Sequence, residues 1–196
     1  AAKPVIVVGI RGEIDAGQTA LVFKALNEAK SQNASALLLE IETFGGQVDA
    51  AVKIRDMISD AKMHTICYVK NRAWSAGALV AISHKNIAIA PGGTIGAAEP
   101  IPTTEKTVAA VRAEFSATAT KIGCTPSVAE AMVDKSLGFE KYAAPGKILS
   151  LTDSQAMEVG YADLIAADRA AVLKHFSLQD SPIVEVQSGW AERMAG

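Results

Sequence analysis

A serine beside two small residues is the side chain of this sequence best placed to act as a nucleophile. Ser75 stands in "RAWSAG", directly before the apolar stretch "AGALVAI". If that stretch is a helix, a substrate carbonyl oxygen at Ser75 would lie near the N–H group of Ala76 and the positive helix end. The alternative is an N-cap, in which the serine hydroxyl only accepts a hydrogen bond from an unpaired backbone N–H.

A pair of glycines follows the second apolar run. Gly45 and Gly46 lie in "ETFGGQVDA", where the chain passes into a segment of helical periodicity. Because glycine has no Cβ, backbone N–H groups there can point at an anion or at a developing oxyanion. An ordinary tight turn between a strand and a helix is the other interpretation of the same residues.

A serine nucleophile needs a base, and none of the three histidines has a position that marks it as one. His84 lies nine residues after Ser75, which on one continuous helix is about 13 Å along the axis. His64 begins an apolar run and would lie at the far end of its strand, while His175 falls in the last predicted helix. The Ser-His-Asp arrangement therefore lacks a well-placed histidine.

Lysine is the other candidate for the base. Lys106 in "PTTEKTVAAVRAEF" follows two threonines that can cap a helix, and the positive end of the helix favours a neutral amine in the first turn. A solvated surface lysine is the alternative interpretation. Lys121 and Lys135 are further along the helical region. The helix face that begins at Lys106 continues with small residues that another surface could cover, namely Ala110, Ala113 and Ala117.

Four short runs of Val, Ile and Leu alternate with helical segments in the first half of the chain. They are too continuously apolar for half-exposed strands, so both faces of their sheet are expected to be covered. The runs are "VIVVGI" (5–10), "ALLLEI" (36–41), "HTICYV" (64–69) and "NIAIA" (86–90). The helix stripes between them are Val22, Ala25, Leu26 and Ala29, and then Val48, Ala51, Ile54 and Ile58. This alternation predicts an α/β fold, a mostly parallel sheet with helices on both faces.

The second half of the sequence is more helical. Its pattern predicts helices over 104–122, 127–135, 153–159 and 168–176, a strand in "YADLIA" (161–166) and an exposed connection over 139–147. No linker composition interrupts the 196 residues, so we expect one domain, 1–196.

The composition excludes several classes of function. The 19 basic and 21 acidic residues form no dense cationic cluster, which argues against a nucleic-acid partner. Cys67 and Cys124 belong to no CxxC pair or His/Cys group, so we expect ordinary thiols, no metal and no cofactor. There is no signal peptide pattern and no run near the ~20 apolar residues of a membrane span. The sequence therefore indicates a soluble piece.

Three stretches together resemble the NfeD-type membrane-bound serine proteases of the ClpP class, relatives of signal peptide peptidase A with a ClpP/crotonase-like fold. The stretches are "ETFGGQVDAA", "RAWSAGALVAISHKNIAIAPGGTIGAAEPI" and "LSLTDSQAMEVGYADLI". The resemblance implies that Ser75 is the nucleophile, Lys106 the base, and Gly46 with Ala76 the oxyanion donors. It further implies substrate contacts at Gly45 and Gln47. Phe44 stands where the family usually has proline, so the turn lacks the stiffening of a proline ring.

The resemblance also implies the partners and the location. We expect a peptide or membrane-protein substrate cleaved in an apolar, extended segment, self-association into a homo-oligomer, and a protease domain on the extracytoplasmic side of a membrane. The end of the sequence, about 187–196, resembles a segment that leads into a membrane region absent from this chain. Trp190 and Arg193 would then lie near the bilayer surface.

Two alternatives of other kinds remain open from the sequence. An acyl-CoA enzyme of the crotonase type would use the glycines to hold a thioester oxyanion, but it would leave Ser75 and Lys106 without a role. A non-catalytic scaffold would keep the fold to organise membrane partners.

Overall fold

The computed structural model describes residues 2–189, which form an eight-stranded sheet with helices on both faces. The elements of the first half are β1 (Val5–Arg11), α1 (Ala16–Ser31), β2 (Ala36–Thr43), α2 (Val48–Asp60), β3 (His64–Trp74), α3 (Ala76–Ile82), β4 (Asn86–Ile89) and β5 (Thr94–Gly96). Those of the second half are α4 (Glu105–Lys121), α5 (Pro126–Val133), β6 (Ser150–Thr152), α6 (Asp153–Glu158), β7 (Leu164–Ile165), α7 (Arg169–His175) and β8 (Ile183–Val186).

The sheet is parallel except at one strand pair. Its main order is β6-β5-β3-β2-β1-β8, and only β5 and β6 are antiparallel. Strand β3 is long enough to have two neighbours on one side: Ile66–Val69 pair with β4, and Arg72–Trp74 pair with β5. The register between β2 and β3 shifts near Thr43, so the carboxyl ends of both strands lie side by side where Thr43 pairs with Ala73. The glycine turn and Ser75 follow these two ends.

Alternate residues of the central strands face two separate apolar cores. Ile6 and Val8 of β1 belong to the larger core, which the residues of α1 to α6 close, whereas Val5 and Val7 belong to a smaller core that α7 covers. A strand whose two faces are both covered has no solvent side and can be apolar throughout. This explains the continuous apolar runs and confirms the predicted fold class.

Most helix starts follow from side chains that accept the free N–H groups of the first turn. Thr104 caps α4 and forms a capping box with Thr107, so Thr104 rather than Thr103 is the cap and Lys106 lies in the first turn as predicted. Thr152 with Gln155 does the same for α6, which directly follows the edge strand β6.

Three sequence expectations need correction. Val48 was expected on the buried stripe of α2 but is 44% exposed, because it is the first helical residue after a turn whose Gly46 and Gln47 are also exposed. The run 161–166 contributes only Leu164–Ile165 to the sheet, since the N–H groups of Tyr161 and Ala162 close the end of α6. Strand β3 continues five residues beyond the predicted run, so "RAW" is strand.

Two expectations concern a membrane. Within residues 2–189 no helix has the length and apolar character of a membrane span. Trp190 and Arg193, expected near a bilayer surface, lie outside the described residues.

Candidate active site

Ser75 occupies a strained junction between a strand and a helix. Strand β3 ends at Trp74, Ser75 has φ 55° and ψ −128°, and α3 begins at Ala76. Its N–H donates to the carbonyl of Gly96 at 2.9 Å, and its own carbonyl accepts from Ala78 at 3.0 Å. A positive φ is uncommon for serine and costs about 1–3 kcal/mol where the surroundings impose it. A sharp strand-to-helix turn of this kind exposes a nucleophilic serine in other hydrolase folds.

The hydroxyl of Ser75 does not cap the helix. Ser75 is the N-cap residue of α3, yet its side chain accepts no capping hydrogen bond, so the N-cap explanation of this serine is wrong. The helix that follows is buried at every position, from Ala76 to Ile82. A partly exposed hydroxyl is therefore held on a rigid, buried element and is not used to satisfy the helix end.

Gly45 lies directly against Ser75. A Cβ built on Gly45 would be 2.7 Å from the Cβ of Ser75 and 3.1 Å from its Oγ, so a larger residue at this position would displace the serine side chain. The N–H of Gly45 donates to Oγ1 of Thr43 at 3.0 Å. Gly45 therefore brings the turn against the serine but has no N–H to offer to a substrate.

Gly46 is held in place by backbone hydrogen bonds on both sides. The N–H of Ile14 donates to the carbonyl of Gly45 at 3.0 Å, and the N–H of Gln47 donates to the carbonyl of Ile14 at 2.8 Å. Gly46 has φ 157°, and a Cβ there would lie 2.3 Å from the carbonyl oxygen of Ile14. The contact leaves no space for a side chain at Gly46.

Two backbone donors beside Ser75 have no acceptor. Within residues 2–189 the N–H groups of Gly46 and Ala76 make no hydrogen bond, although Gly46 is exposed and Ala76 directly follows the serine. Buried or constrained N–H groups are nearly always paired, so unpaired donors at such a place are suited to an external oxygen. The structure thus brings together Ser75, Gly45, Gly46 and Ala76.

The glycine turn is stiffened although Phe44 replaces the usual proline. Oγ1 of Thr43 donates to the carbonyl of Gly12 at 2.6 Å and accepts the N–H of Gly45. Together with the two hydrogen bonds of Ile14, these contacts tie the turn to the segment that follows β1. Thr43 and Ile14 were not recognised from the sequence, because their role depends on β1 and β2 ending side by side.

An aromatic and cationic surface borders the same turn. The guanidinium carbon of Arg72 lies 4.6 Å from the ring centre of Phe44 and 5.5 Å from that of Trp74. The rings of Phe44 and Trp74 pack edge to face with their centres 5.4 Å apart, and the indole N–H of Trp74 donates to Oγ1 of Thr94 at 2.7 Å. We call Phe44, Arg72 and Trp74 the aromatic shelf. Sequence reasoning missed it, although all three residues lie within the two motifs.

The three candidate lysines differ in their contacts. Lys121 pairs with Asp60 at 3.1 Å and Lys135 with Glu99 at 3.5 Å, whereas the side chain of Lys106 is exposed and makes no hydrogen bond or ion pair within residues 2–189. The structure gives no contact between Lys106 and Ser75, so its role as base stays a prediction. Gln47 is exposed at the start of α2, with its N–H held by Ile14.

The histidines are away from Ser75 or engaged elsewhere. His84 is buried, its Nδ1–H donates to the carbonyl of Val80 at 2.9 Å, and burial lowers its pKa to about 4. His64 lies at the opposite end of β3 and bonds Asn86 at 2.6 Å. His175 is exposed on α7 beside Phe176.

The cysteines give no sign of reactivity. Burial raises the pKa of both the Cys67 and the Cys124 thiols, which disfavours a thiolate nucleophile. No group of three or more metal-binding side chains occurs in the part of the chain that the structure describes.

The sheet order, the strained serine and the glycine turn define the ClpP-like class of α/β folds. Comparison with known proteins gives the family. Residues 4–186 match the model of the NfeD1b N-terminal domain, and the chain belongs to that family.

Two curated relatives carry names that concern membranes. The chain is 30% identical over 199 residues to membrane protein NfeD1b of Bacillus subtilis, with 98% of this chain and 46% of that protein covered. It is 31% identical over 173 residues to membrane-bound protease PH1510 of Pyrococcus horikoshii, with 87% of this chain and 39% of that protein covered. The chain thus spans less than half the length of either relative.

Solved structures share the fold at lower identity. The 1510-N membrane-bound stomatin-specific protease, solved as a serine-to-alanine variant, has a TM-score of 0.84 at 24% identity, covering 96% of this chain and 100% of that one. A lysine-to-alanine variant of the 1510-N protease in complex with a substrate peptide has a TM-score of 0.83 at 23% identity, covering 100% of this chain and 97% of that one. ClpP1 from Listeria monocytogenes has a TM-score of 0.65 at 20% identity, covering 83% of this chain and 92% of that one.

Proposed function

We propose that this chain is a serine endopeptidase domain that uses a Ser75/Lys106 dyad. The observation that carries the proposal is the strained Ser75, whose hydroxyl caps nothing and lies against Gly45. A protein keeps a non-glycine residue at such a backbone geometry when the surrounding structure over-determines it, and such residues cluster at functional sites. The unpaired N–H groups of Gly46 and Ala76 beside it supply the donors that acyl transfer needs.

The reaction follows from these groups. Lys106 in its neutral form takes the proton of Ser75 as Oγ bonds to the peptide carbonyl carbon, and the carbonyl electrons move to the oxygen. The N–H groups of Gly46 and Ala76 hold that oxyanion. Collapse breaks the C–N bond, and the protonated Lys106 gives its proton to the leaving amine. Water then hydrolyses the ester on Ser75 and restores the free hydroxyl. No metal or cofactor takes part in these steps.

The named proteins support this mechanism at two points. One relative is called a membrane-bound protease, and a protein of the same fold has been solved with a substrate peptide after a lysine was replaced by alanine. A serine was replaced in another form of that protein. A serine and a lysine are the dyad we propose here, and Lys106 is the one among the three candidate lysines that has no ion pair within residues 2–189.

The substrate and the setting are part of the proposal. We infer that the substrate is an extended, apolar peptide segment of a membrane-associated protein. Gly45 and the exposed side chain of Gln47 at the start of α2 would line its binding site. The membrane-related names of both relatives support membrane association. Attachment through a region outside these residues, with the domain on the extracytoplasmic side, is part of the proposal. Self-association would cover the exposed small residues of α4.

Capture by a fluorophosphonate tests the dyad directly. We expect the wild-type protein to be phosphonylated on Ser75, located by peptide mass spectrometry, and Ser75→Ala to take up none. Lys106→Ala should slow the capture at least about 100-fold, the usual contribution of a general base. Lys121→Ala and Lys135→Ala are the matched controls and should react at the wild-type rate.

The possible results separate the alternatives. Capture at another residue, or none, would overturn the peptidase proposal, and tight binding of an acyl-CoA ester in that case would favour the crotonase type. Normal capture of Lys106→Ala together with loss in Lys121→Ala or Lys135→Ala would overturn the lysine assignment alone.

A further inference from the structure

The aromatic shelf lies immediately beside the nucleophile. Arg72 and Trp74 are two residues apart on β3, so their side chains leave the same face of the strand, and Trp74 directly precedes Ser75. Phe44 directly precedes Gly45, the residue that packs against the serine side chain. A peptide whose carbonyl reached Ser75 would therefore pass close to the shelf.

The shelf is arranged before any substrate binds. The hydrogen bond from the Trp74 indole to Thr94 fixes one ring, and the edge-to-face contact orients the second. Arg72 lies against both rings, within the range of a cation–π interaction. Phe44 nevertheless remains 69% exposed. A large apolar ring held on the surface leaves an open face for contact with another molecule.

Arg72 has a positive charge with no protein partner. Within residues 2–189 its guanidinium makes no ion pair and no side-chain hydrogen bond, whereas the carboxylates of the neighbouring strand β2 are engaged: Glu42 with Arg11 at 3.2 Å, and Glu40 with Arg169 at 2.8 Å. A guanidinium presents planar, paired N–H donors that match a carboxylate, and it stacks readily on aromatic faces. Contact with the rings leaves those donors available.

We propose that the aromatic shelf is a subsite for an acidic side chain of the peptide substrate, at a fixed position near the scissile bond. The carboxylate pairs with Arg72, and the methylene carbons of the same side chain pack on Phe44. This selectivity would act together with the apolar character expected of the rest of the segment. The inference rests on the proposed peptidase function.

A peptide library of random sequence tests the subsite, because it requires no assumption about the cleavage motif. An equimolar set of decapeptides is digested with wild-type protein, and mass spectrometry records residue frequencies on both sides of every cleaved bond. We expect Glu to exceed Gln about tenfold at one position, the scale of a hydrogen-bonded charge pair. The ratio should fall at high salt, since ions screen exposed charges.

Variants assign the effect to Arg72. Arg72→Gln should bring the Glu-to-Gln ratio close to one, and Arg72→Glu should favour Lys or Arg at the same position. Phe44→Ala should lower the ratio without reversing it. Lys147→Gln removes an exposed cation on the segment 139–147 and should leave the ratio at its wild-type value.

Two results would count against the subsite. A wild-type profile with no acidic preference, or an acidic preference retained in Arg72→Gln, overturns the inference while cleavage and capture of Ser75 uphold the proposed function. A wild-type protein that is not captured at Ser75 and cleaves no member of the library overturns the proposed function, and this inference with it.

Discussion

Ser75 combines a reactive group with an unfavourable backbone geometry, and the two properties can be separated by mutation. Because φ is 55° at this residue, glycine should fit the position with less strain than alanine. We expect Ser75→Gly to raise the free energy of unfolding by about 1–2 kcal/mol relative to Ser75→Ala, within the range for such outliers. Urea denaturation of the two variants gives the difference.

A matched pair outside the site shows what an ordinary position would give. Ser116 lies within helix α4, so Ser116→Gly should be less stable than Ser116→Ala by about 1 kcal/mol. The opposite signs at the two serines are the expected outcome. If Ser75→Gly were also the less stable variant, the strand-to-helix junction would not be strained, and the main support for a catalytic serine would be lost.

At the scale of single residues, the sequence indicated the candidate catalytic groups but not the residues that hold them in place. Ser75, Gly46 and Ala76 could be named as candidates because they lie in two short motifs that follow apolar runs and resemble those of a known family. Thr43 could not, since nothing in "IETFGG" indicates that its hydroxyl reaches Gly12, 31 residues earlier. The partners of such residues are fixed by strand register, which local sequence does not contain.

At the scale of secondary-structure elements, the side chain of Thr43 connects the end of β2 to the glycine turn. Thr43→Val keeps the shape but removes the acceptor of the Gly45 N–H, a buried group. We expect a loss of about 1–3 kcal/mol in the free energy of unfolding, the usual cost of an unpaired buried donor. Capture of Ser75 by the fluorophosphonate should slow as well, because the turn that carries Gly46 loosens.

The control for this change keeps the hydroxyl. Thr43→Ser retains both hydrogen bonds and loses one methyl group, so it should be captured at a rate close to wild type even if it is somewhat less stable. Equal capture rates for Thr43→Val and Thr43→Ser would mean that the hydroxyl does not brace the site.

Element prediction succeeded where length and apolar pattern agree. Strands β1, β2 and β4 and helix α4 were predicted to within two residues, because their covered faces make the apolar pattern clear in the sequence. The apolar stripes located α1 and α2 without giving their bounds. Strands β5 and β6 are three residues long, which is too short for periodicity to mark, and the four residues of β8 include Glu185 and are largely not buried. The extension of β3 through "RAW" depends on pairing with β5, so tertiary context alone determines it.

For the molecule as a whole, His84 links stability to pH. It is fully buried, burial lowers its pKa to about 4 in the folded state, and Nε2 has no hydrogen-bond partner among the described residues. The unfolded chain, with an ordinary pKa near 6.5, binds a proton below that pH and the folded protein does not until about 4. Stability is therefore present above pH 6.5 and is lost as the pH falls. We expect a loss of about 2 kcal/mol between pH 7 and 5.

A substitution isolates this contribution. His84→Leu has a similar volume and leaves the Val80 carbonyl paired with Ser83 at 2.6 Å, so it should flatten the dependence of unfolding free energy on pH between 7 and 5. His175→Leu, at an exposed position on α7, is the control and should keep the wild-type slope. Urea titrations at several pH values measure both, and an unchanged slope in His84→Leu would contradict the assignment.

The pairing of β1 with β8 determines when the sheet can be completed. Strand β1 is buried almost throughout and is covered on one side by β2, and its other side receives the last described strand, 178 positions later in register. Until Ile183–Val186 arrive, β1 has a row of free N–H and C=O groups along an apolar strand. Such an edge invites pairing with another chain. Strand β8 therefore covers this edge and prevents edge-to-edge aggregation. A chain without β8 would be prone to pair its β1 with the β1 of another copy.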